Sequence, residues 1–172
     1  MTFWEVVETY WLYYLIGRYP EGPLGGLALT LLLASAGLAL AIPLGLLLGL
    51  ARVSPWRWLN GPVTLLVYVV RGTPLLMVVF WAYFILPSIT HVKTDQFTTM
   101  LLALVLFDGV YLAEIVRAGI QGLPKGQVEA ARSLGLSYIE TLRFVMLPQA
   151  LRHMLPSLVN QFVTTIKDTS LG

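Results

Sequence analysis

The sequence predicts an all-α, polytopic integral membrane protein built as a helical bundle, on three observations. Of 172 residues, 57% are hydrophobic and only 12% charged, about half the charge of a soluble domain, where roughly a quarter of residues are charged. The mean hydropathy is +0.76, and the apolar residues fall in four long blocks rather than short alternating runs. Lys and Arg collect in some of the segments between blocks and avoid others. A net charge of +2 is too small to argue for a nucleic-acid partner. No cysteine is present to form a disulfide or a thiolate metal site.

The first 26 residues carry Phe3, Trp4, Tyr10, Trp11, Tyr13 and Tyr14, rings that prefer the membrane–water boundary. They predict an extracytoplasmic, interfacial helix. A secretory signal would open on basic residues, whereas the first charges here are Glu5 and Glu8. The first apolar block, 27–50, runs 24 residues without a charge. About 20 apolar residues cross the hydrocarbon core, so this is the clearest transmembrane helix. Gly45 and Gly49 form a small-xxx-small pair that favours close helix packing. Pro43 is tolerable where neighbouring helices satisfy the carbonyl it frees.

The second block, 63–86, is interrupted by Arg71-Gly72-Thr73-Pro74. Glycine and proline weaken the helix there, and a broken helix at membrane depth exposes backbone groups to polar substrate atoms. Arg71 stands about 12 Å into this block, near enough to the boundary to snorkel back to it. The third block, 97–120, holds Asp108, Glu114 and Arg117. An ionisable residue at mid-bilayer costs at least about 2.5–3.5 kcal/mol, so each is a candidate functional group. Glu114 and Arg117, three apart on one helix, can instead neutralise each other. Asp108 is placed facing a polar bundle interior.

Charges in the loops orient the chain, because Lys and Arg favour cytoplasmic loops. Arg52 and Arg57 follow the first block, and Lys125, Arg132, Arg143 and Arg152 lie in 121–154. The segment 88–96 has only Lys93, with Asp95 nearby, and the N-terminal segment only Arg18. The N-terminus and second loop are therefore expected outside, the first and third loops inside.

The third loop reads as two short helices joined at a corner. The first covers about 127–134, and Gly135 sits where a left-handed residue ends a helix without steric cost. Ser137 and Glu140 form a capping box. Ile139, Leu142, Val145 and Met146 then recur at helical spacing, and Pro148 is expected to limit continuation. This elbow is either a linker packed on its own helix ends or a knob whose apolar face docks in a partner's groove.

The fourth block begins near Leu155 and reaches the last residues with Asn160, Gln161, Lys167 and Asp168 in it. Adjacent residues on a helix do not face each other, so Lys167 and Asp168 each need a separate partner. A zwitterionic amino acid offers a carboxylate to one and an ammonium to the other, with Thr169 and Ser170 beside them. Pairing with another subunit is the other option.

Glu129-Ala130-Ala131, then Gly135, then Val145-Met146-Leu147-Pro148 resembles the EAA loop of ABC-importer permeases. The only departure is Val145, where isoleucine is commoner. Arg71-Gly72-Thr73-Pro74-Leu75-Leu76, the segment from Ala113 to Ile120, and Lys167-Asp168-Thr169-Ser170-Leu171 look like the permeases for polar amino acids, the histidine, glutamine, glutamate/aspartate and arginine group. The stretch from Pro74 to Tyr83 looks most like glutamate/aspartate permeases. The resemblance runs from about Leu24 onward. It implies a type I importer permease fold, with four transmembrane helices here and a fifth expected, since such permeases usually have five.

The resemblance implies a division into an N-terminal segment, 1–26, and a permease domain, 27–172. Residues 121–154 of that domain form the cytoplasmic coupling loop, with Glu129, Ala130, Ala131, Gly135, Leu147 and Pro148 seating in the ATPase. The broken helix and the charges inside the membrane mark a candidate substrate pathway through Arg71, Gly72, Thr73, Glu114, Lys167, Asp168, Thr169 and Ser170. The expected partners are an ABC ATPase, a second permease subunit, identical or not, an extracytoplasmic solute-binding protein, the amino acid and membrane lipid. The expected setting is a bacterial cytoplasmic membrane. No phosphate loop G-x-x-x-x-G-K-[ST] occurs, nor H-E-x-x-H or G-x-S-x-G. ATP and Mg are thus expected on the partner ATPase, with no cofactor and no catalytic or metal-binding residue on this chain. His91 and His153 are placed on opposite sides of the membrane and cannot share a metal. The rival is an ion-coupled secondary amino-acid carrier, which would keep the membrane carboxylates without needing a coupling elbow.

Overall fold

The computed structural model describes residues 2–91 and 95–171, apart from the side chain of Phe3. Lys93 and that ring therefore lie outside the described residues. The described chain is helical: α1 (Phe3–Ile16), α2 (Gly26–Val53), α3 (Arg57–Arg71), α4 (Leu75–Thr90), α5 (Gln96–Gln121), α6 (Lys125–Ser133), α7 (Tyr138–Glu140), a π-helical turn (Thr141–Met146), α8 (Leu147–Asp168) and a 3-10 turn (Thr169–Leu171). The four apolar blocks become α2, the pair α3–α4, α5 and α8. Helices α2 and α5 are each long and apolar enough to cross a membrane, and α3 with α4, bent by 106°, passes the same test as one broken span. At roughly 1.5 Å per residue, the 22 residues of α8 reach about 33 Å. They carry Arg152, His153, Asn160, Gln161, Lys167 and Asp168, however, and the helix is too polar to be read as a span from hydropathy.

The packing is organised around α5, which touches α2, α3, α4 and α8, most extensively α2. Glycine makes the α2 seam possible. A Cβ on Gly45 would lie 2.4 Å from the Leu112 Cβ, and one on Gly49 would lie 2.6 Å from the Val116 Cβ. Gly37 faces Leu104 further along the same seam, where an added Cβ would sit at an ordinary 3.6 Å. Contacts advance together along both helices, so α2 and α5 run parallel, as two spans separated by one broken span must. The core divides into two clusters. One joins Leu33, Val67, Val78, Leu104 and Phe107 across α2 to α5. The other joins Val116, Ile120, Ala150 and Met154 to Leu50 and Val53 of α2 and to Leu142, Met146 and Leu147 of the elbow.

Three expectations change. The first elbow helix covers Lys125–Ser133 rather than 127–134. Pro148 does not stop the helix. In a regular helix its ring would press on the carbonyl four residues back, but the preceding turn is widened to π geometry, with the Leu147 N–H donating to the Leu142 carbonyl. Gln149 Nε2 donates to the Val145 carbonyl at 2.8 Å, so α8 starts at Leu147 instead of near Leu155. Lys167 and Asp168, expected deep in the membrane, then stand at the opposite end of α8 from the elbow.

In α1, Trp4, Tyr10, Trp11, Tyr13 and Tyr14 are all exposed.

Candidate functional site

Three polar regions lie along α8, and the one nearest the elbow is a charged cleft. Its hub is Glu114 on α5. One carboxylate oxygen, Oε2, accepts from Arg52 Nη1 on the last turn of α2 and from Arg117 Nε at 3.1 Å, while Oε1 accepts from Arg117 Nη2. The expected Glu114–Arg117 pair is therefore present, but it is half of a larger cluster. Arg52, expected in a cytoplasmic loop, lies inside α2 and is only 6% exposed. Its guanidinium stacks 5.6 Å from the Tyr68 ring centre, and its Nε has no partner among the described residues.

Arg71 is the third guanidinium. Its Nη1 stands 3.7 Å from the same Glu114 Oε2, and the guanidinium lies 5.2 Å from the Tyr111 ring centre. Its side chain is 35% exposed and makes no hydrogen bond among the described residues. Three guanidiniums face one carboxylate, leaving the cluster a surplus of positive charge. Arg71 opens into a cleft of about 430 Å³ lined by Tyr111, Glu114, His153, Ser157 and Gln161 as well. At the break beyond it, Gly72 and Thr73 close the end of α3. The Gly72 N–H donates to the Tyr68 carbonyl at 2.9 Å, and Thr73 donates from Oγ1 to the Val69 carbonyl at 2.8 Å.

The middle region is Asp108, expected in a polar interior and found fully buried. Gln161 Nε2 donates to Oδ1 at 2.8 Å and Thr165 Oγ1 to Oδ2 at 2.9 Å, tying α5 to α8. Gln161 thus lines the cleft and covers Asp108 at once. His153, Ser157, Gln161, Thr165 and Thr169 recur every fourth position, which puts one polar stripe along α8. That period was readable in the sequence and was missed.

The third region, at the far end, holds Lys167, Asp168, Thr169 and Ser170. Thr169 lines a separate hollow with Pro23, Leu24, Asp95 and Gln96, at the starts of α2 and α5. Lys167 is exposed and Asp168 half-buried, and neither makes an ion pair among the described residues. Thr169 and Ser170 turn their hydroxyls onto the Ile166 and Lys167 carbonyls. The structure therefore does not bring these four residues together with Arg71, Gly72, Thr73 and Glu114. His91 caps α4 while His153 lines the cleft, so these two stand apart.

At the elbow, Gly135 adopts φ +83°, a conformation L side chains resist. Ser137 and Glu140 make the expected reciprocal cap, and the Ser137 hydrogen bonds hold the Glu140 carboxyl below the usual range. Glu129 and Ala130 are exposed, Ala131 is buried, Leu147 is half-buried and Pro148 exposed. Three apolar side chains protrude: Leu134 at 82%, Ile139 at 66% and Phe144 at 63% exposure. Tyr138 donates from its hydroxyl to the Val53 carbonyl at 3.2 Å, joining the elbow to the end of α2.

Residues 41–172 match the family described as binding-protein-dependent transport system inner membrane component. The chain is 40% identical over 161 residues to the probable glutamine ABC transporter permease protein GlnP of Bacillus subtilis (strain 168), covering 91% of this chain and 73% of that protein. It is 41% identical over 177 residues to the inner membrane amino-acid ABC transporter permease protein YhdY of Escherichia coli (strain K12). That match takes in 98% of this chain and 48% of YhdY, so the chain spans about half of that relative. A crystal structure of an amino acid ABC transporter with histidines superposes with a TM-score of 0.84 at 31% identity, covering 99% of this chain and 75% of that one.

Proposed function

The chain belongs to the family of binding-protein-dependent transport system inner membrane components, and from that premise we propose that it is the permease subunit of an ATP-driven importer of polar amino acids. In this reading the cleft beside Arg71 receives the substrate. The observation that carries it is the Arg71 guanidinium, which makes no hydrogen bond among the described residues and opens into a cleft of about 430 Å³, roomy enough for an amino acid. Arg52 and Arg117 already occupy the Glu114 oxygen nearest Arg71, so Arg71 remains to bind a carboxylate, an interaction that favours guanidinium geometry. The surplus positive charge favours neutral or acidic side chains. Glutamate and aspartate fit it, and the likeness of 74–83 to their permeases points the same way; the GlnP relative argues for glutamine.

The protruding Leu134, Ile139 and Phe144 support docking on a soluble ATPase, which carries the ATP and Mg. An ion-coupled carrier has no use for such a knob. A second permease subunit completes the pathway, and an extracytoplasmic binding protein delivers the amino acid. Lys167 to Ser170, beside the hollow at the far end, then meet the substrate on entry rather than at the cleft.

The test is calorimetric binding to the purified complex. L-glutamine and L-glutamate should bind wild type more tightly than analogues whose α-carboxylate is replaced by an amide. Arg71→Gln should lose that preference and about ten- to a hundredfold in affinity, the worth of one charge-assisted hydrogen bond of about 1.5–3 kcal/mol. An unchanged preference in an assembled Arg71→Gln complex removes Arg71 from the site.

A further inference from the structure

Arg52 and Arg71 compete for one oxygen. Glu114 Oε2 is held by Arg52 Nη1 and Arg117 Nε, while Arg71 Nη1 waits at 3.7 Å, just outside hydrogen-bond range. A carboxylate oxygen so occupied has little capacity left for a third donor. With Arg52 in place, Arg71 stays free for the cleft. Without Arg52, the attraction at that distance would draw Arg71 onto Glu114.

Arg52 is also placed where the elbow can move it. It sits on the last turn of α2, next to Val53, whose carbonyl accepts the Tyr138 hydroxyl. Burial pushes the Tyr138 phenol above its ordinary value, as expected of a hydroxyl packed into the joint. Leu50 and Val53 pack in one cluster with Leu142, Met146 and Leu147 of the elbow. A shift of the elbow therefore displaces the segment that carries Arg52. The unpartnered Arg52 Nε leaves this guanidinium less firmly held than Arg117, which bonds Glu114 through both oxygens and also reaches Gln121.

We propose that Arg52 is a positioning residue for the substrate cleft: by occupying Glu114 it keeps Arg71 available to the substrate carboxylate, and the Tyr138–Val53 contact lets the elbow withdraw it. The inference rests on the reading that Arg71 holds that carboxylate. When the elbow moves with the ATPase, Arg71 transfers to Glu114 and the substrate loses its anchor, which is a way to release cargo without breaking the bundle.

Calorimetry with L-glutamine and L-glutamate on the complex with its ATPase tests this. Arg52→Gln should weaken binding about tenfold or more. The double variant Arg52→Gln/Glu114→Gln should recover most of the loss, because a neutral amide no longer captures Arg71. A residue that only supports the fold would give a double variant no better than the single. Tyr138→Phe keeps the ring and removes the hydrogen bond. It should bind substrate with an affinity independent of whether the ATPase holds ATP, where wild type differs between the two states. Should Arg52→Gln not assemble, Arg52→Lys, which keeps charge but reaches Glu114 poorly, supplies the single variant and Arg52→Lys/Glu114→Gln the double. Loss of affinity in Arg71→Gln without rescue in either double variant overturns this proposal and leaves the site reading standing. No loss in Arg71→Gln overturns the site reading first.

Discussion

At the scale of single residues, charges decide more than hydropathy shows. The pairing of Glu114 with Arg117 was legible, because both lie on one helix three positions apart. Its extension to Arg52 and Arg71 was not, because those contacts span 62 and 43 positions and need α2, α3 and α5 to converge. Asp108 was placed in a polar interior from its own chemistry, yet its partners Gln161 and Thr165 come from the last helix. Removing the carboxylate tests that clamp. Asp108→Leu strands the Gln161 amide, while Thr165 can still donate to the Gln161 carbonyl. The expected cost is about 1–2 kcal/mol, the range for hydrogen bonds between membrane helices, read as a lowered Tm of the detergent-purified protein. Asp108→Asn keeps one acceptor and should lose less than half as much. Equal damage from both would mean that the negative charge, rather than the clamp, is what this position supplies.

At the scale of elements, the α2–α5 seam and the elbow both turn on glycine, for different reasons. Gly49 is needed for proximity: an added Cβ lies 2.6 Å from Val116 and 2.9 Å from the Ala113 carbonyl. Gly49→Leu should therefore cost about 1–3 kcal/mol or more by overpacking. Gly126→Ala, with open space around its Cβ, should be neutral in the same thermal assay. Gly135 is needed for conformation, since nothing crowds it and its φ is +83°. Gly135→Val should deform the corner, and Glu129→Arg should reverse charge on an exposed face of α6, without blocking insertion. Both should lower uptake while leaving binding-protein-stimulated ATP hydrolysis uncoupled from it; normal uptake in both would remove the elbow from coupling. Sequence pattern located this elbow through its capping box and glycine. It misjudged Pro148, because a π turn is set by the packing around it.

At the scale of the whole molecule, the parallel run of α2 and α5 and the return of α8 place the elbow at one end and Lys167 to Ser170 at the other. The Lys/Arg asymmetry predicts that the elbow end faces the cytoplasm. The chain contains no cysteine, so single cysteines can be placed and labelled with a membrane-impermeant maleimide. A cysteine at Ser133 should label only after the membrane is opened, and one at Glu21 in intact cells. Labelling of the Ser133 cysteine from outside would invert the orientation.

Features that depend on near neighbours along the chain were legible without the fold. Apolar length, uninterrupted in α2 and interrupted in α5 by Asp108, Glu114 and Arg117, made both helices long and apolar enough to cross a membrane; Arg71-Gly72-Thr73-Pro74 broke the second block, and Ser137 with Glu140 began the second elbow helix. The tertiary structure alone decided which distant charges share an oxygen and how deep each one sits. Lys167 and Asp168 show the difference most plainly. Their depth follows from where α8 starts, and that start moves eight residues when a widened turn carries the helix through Pro148. A single residue cannot encode that register, because it is set by the packing of Leu142, Met146 and Leu147 against α2 and α5. Arg52 belongs to the same class: a basic residue at the end of a span reads as a topology signal until the Glu114 carboxylate, from another helix, is found beside it.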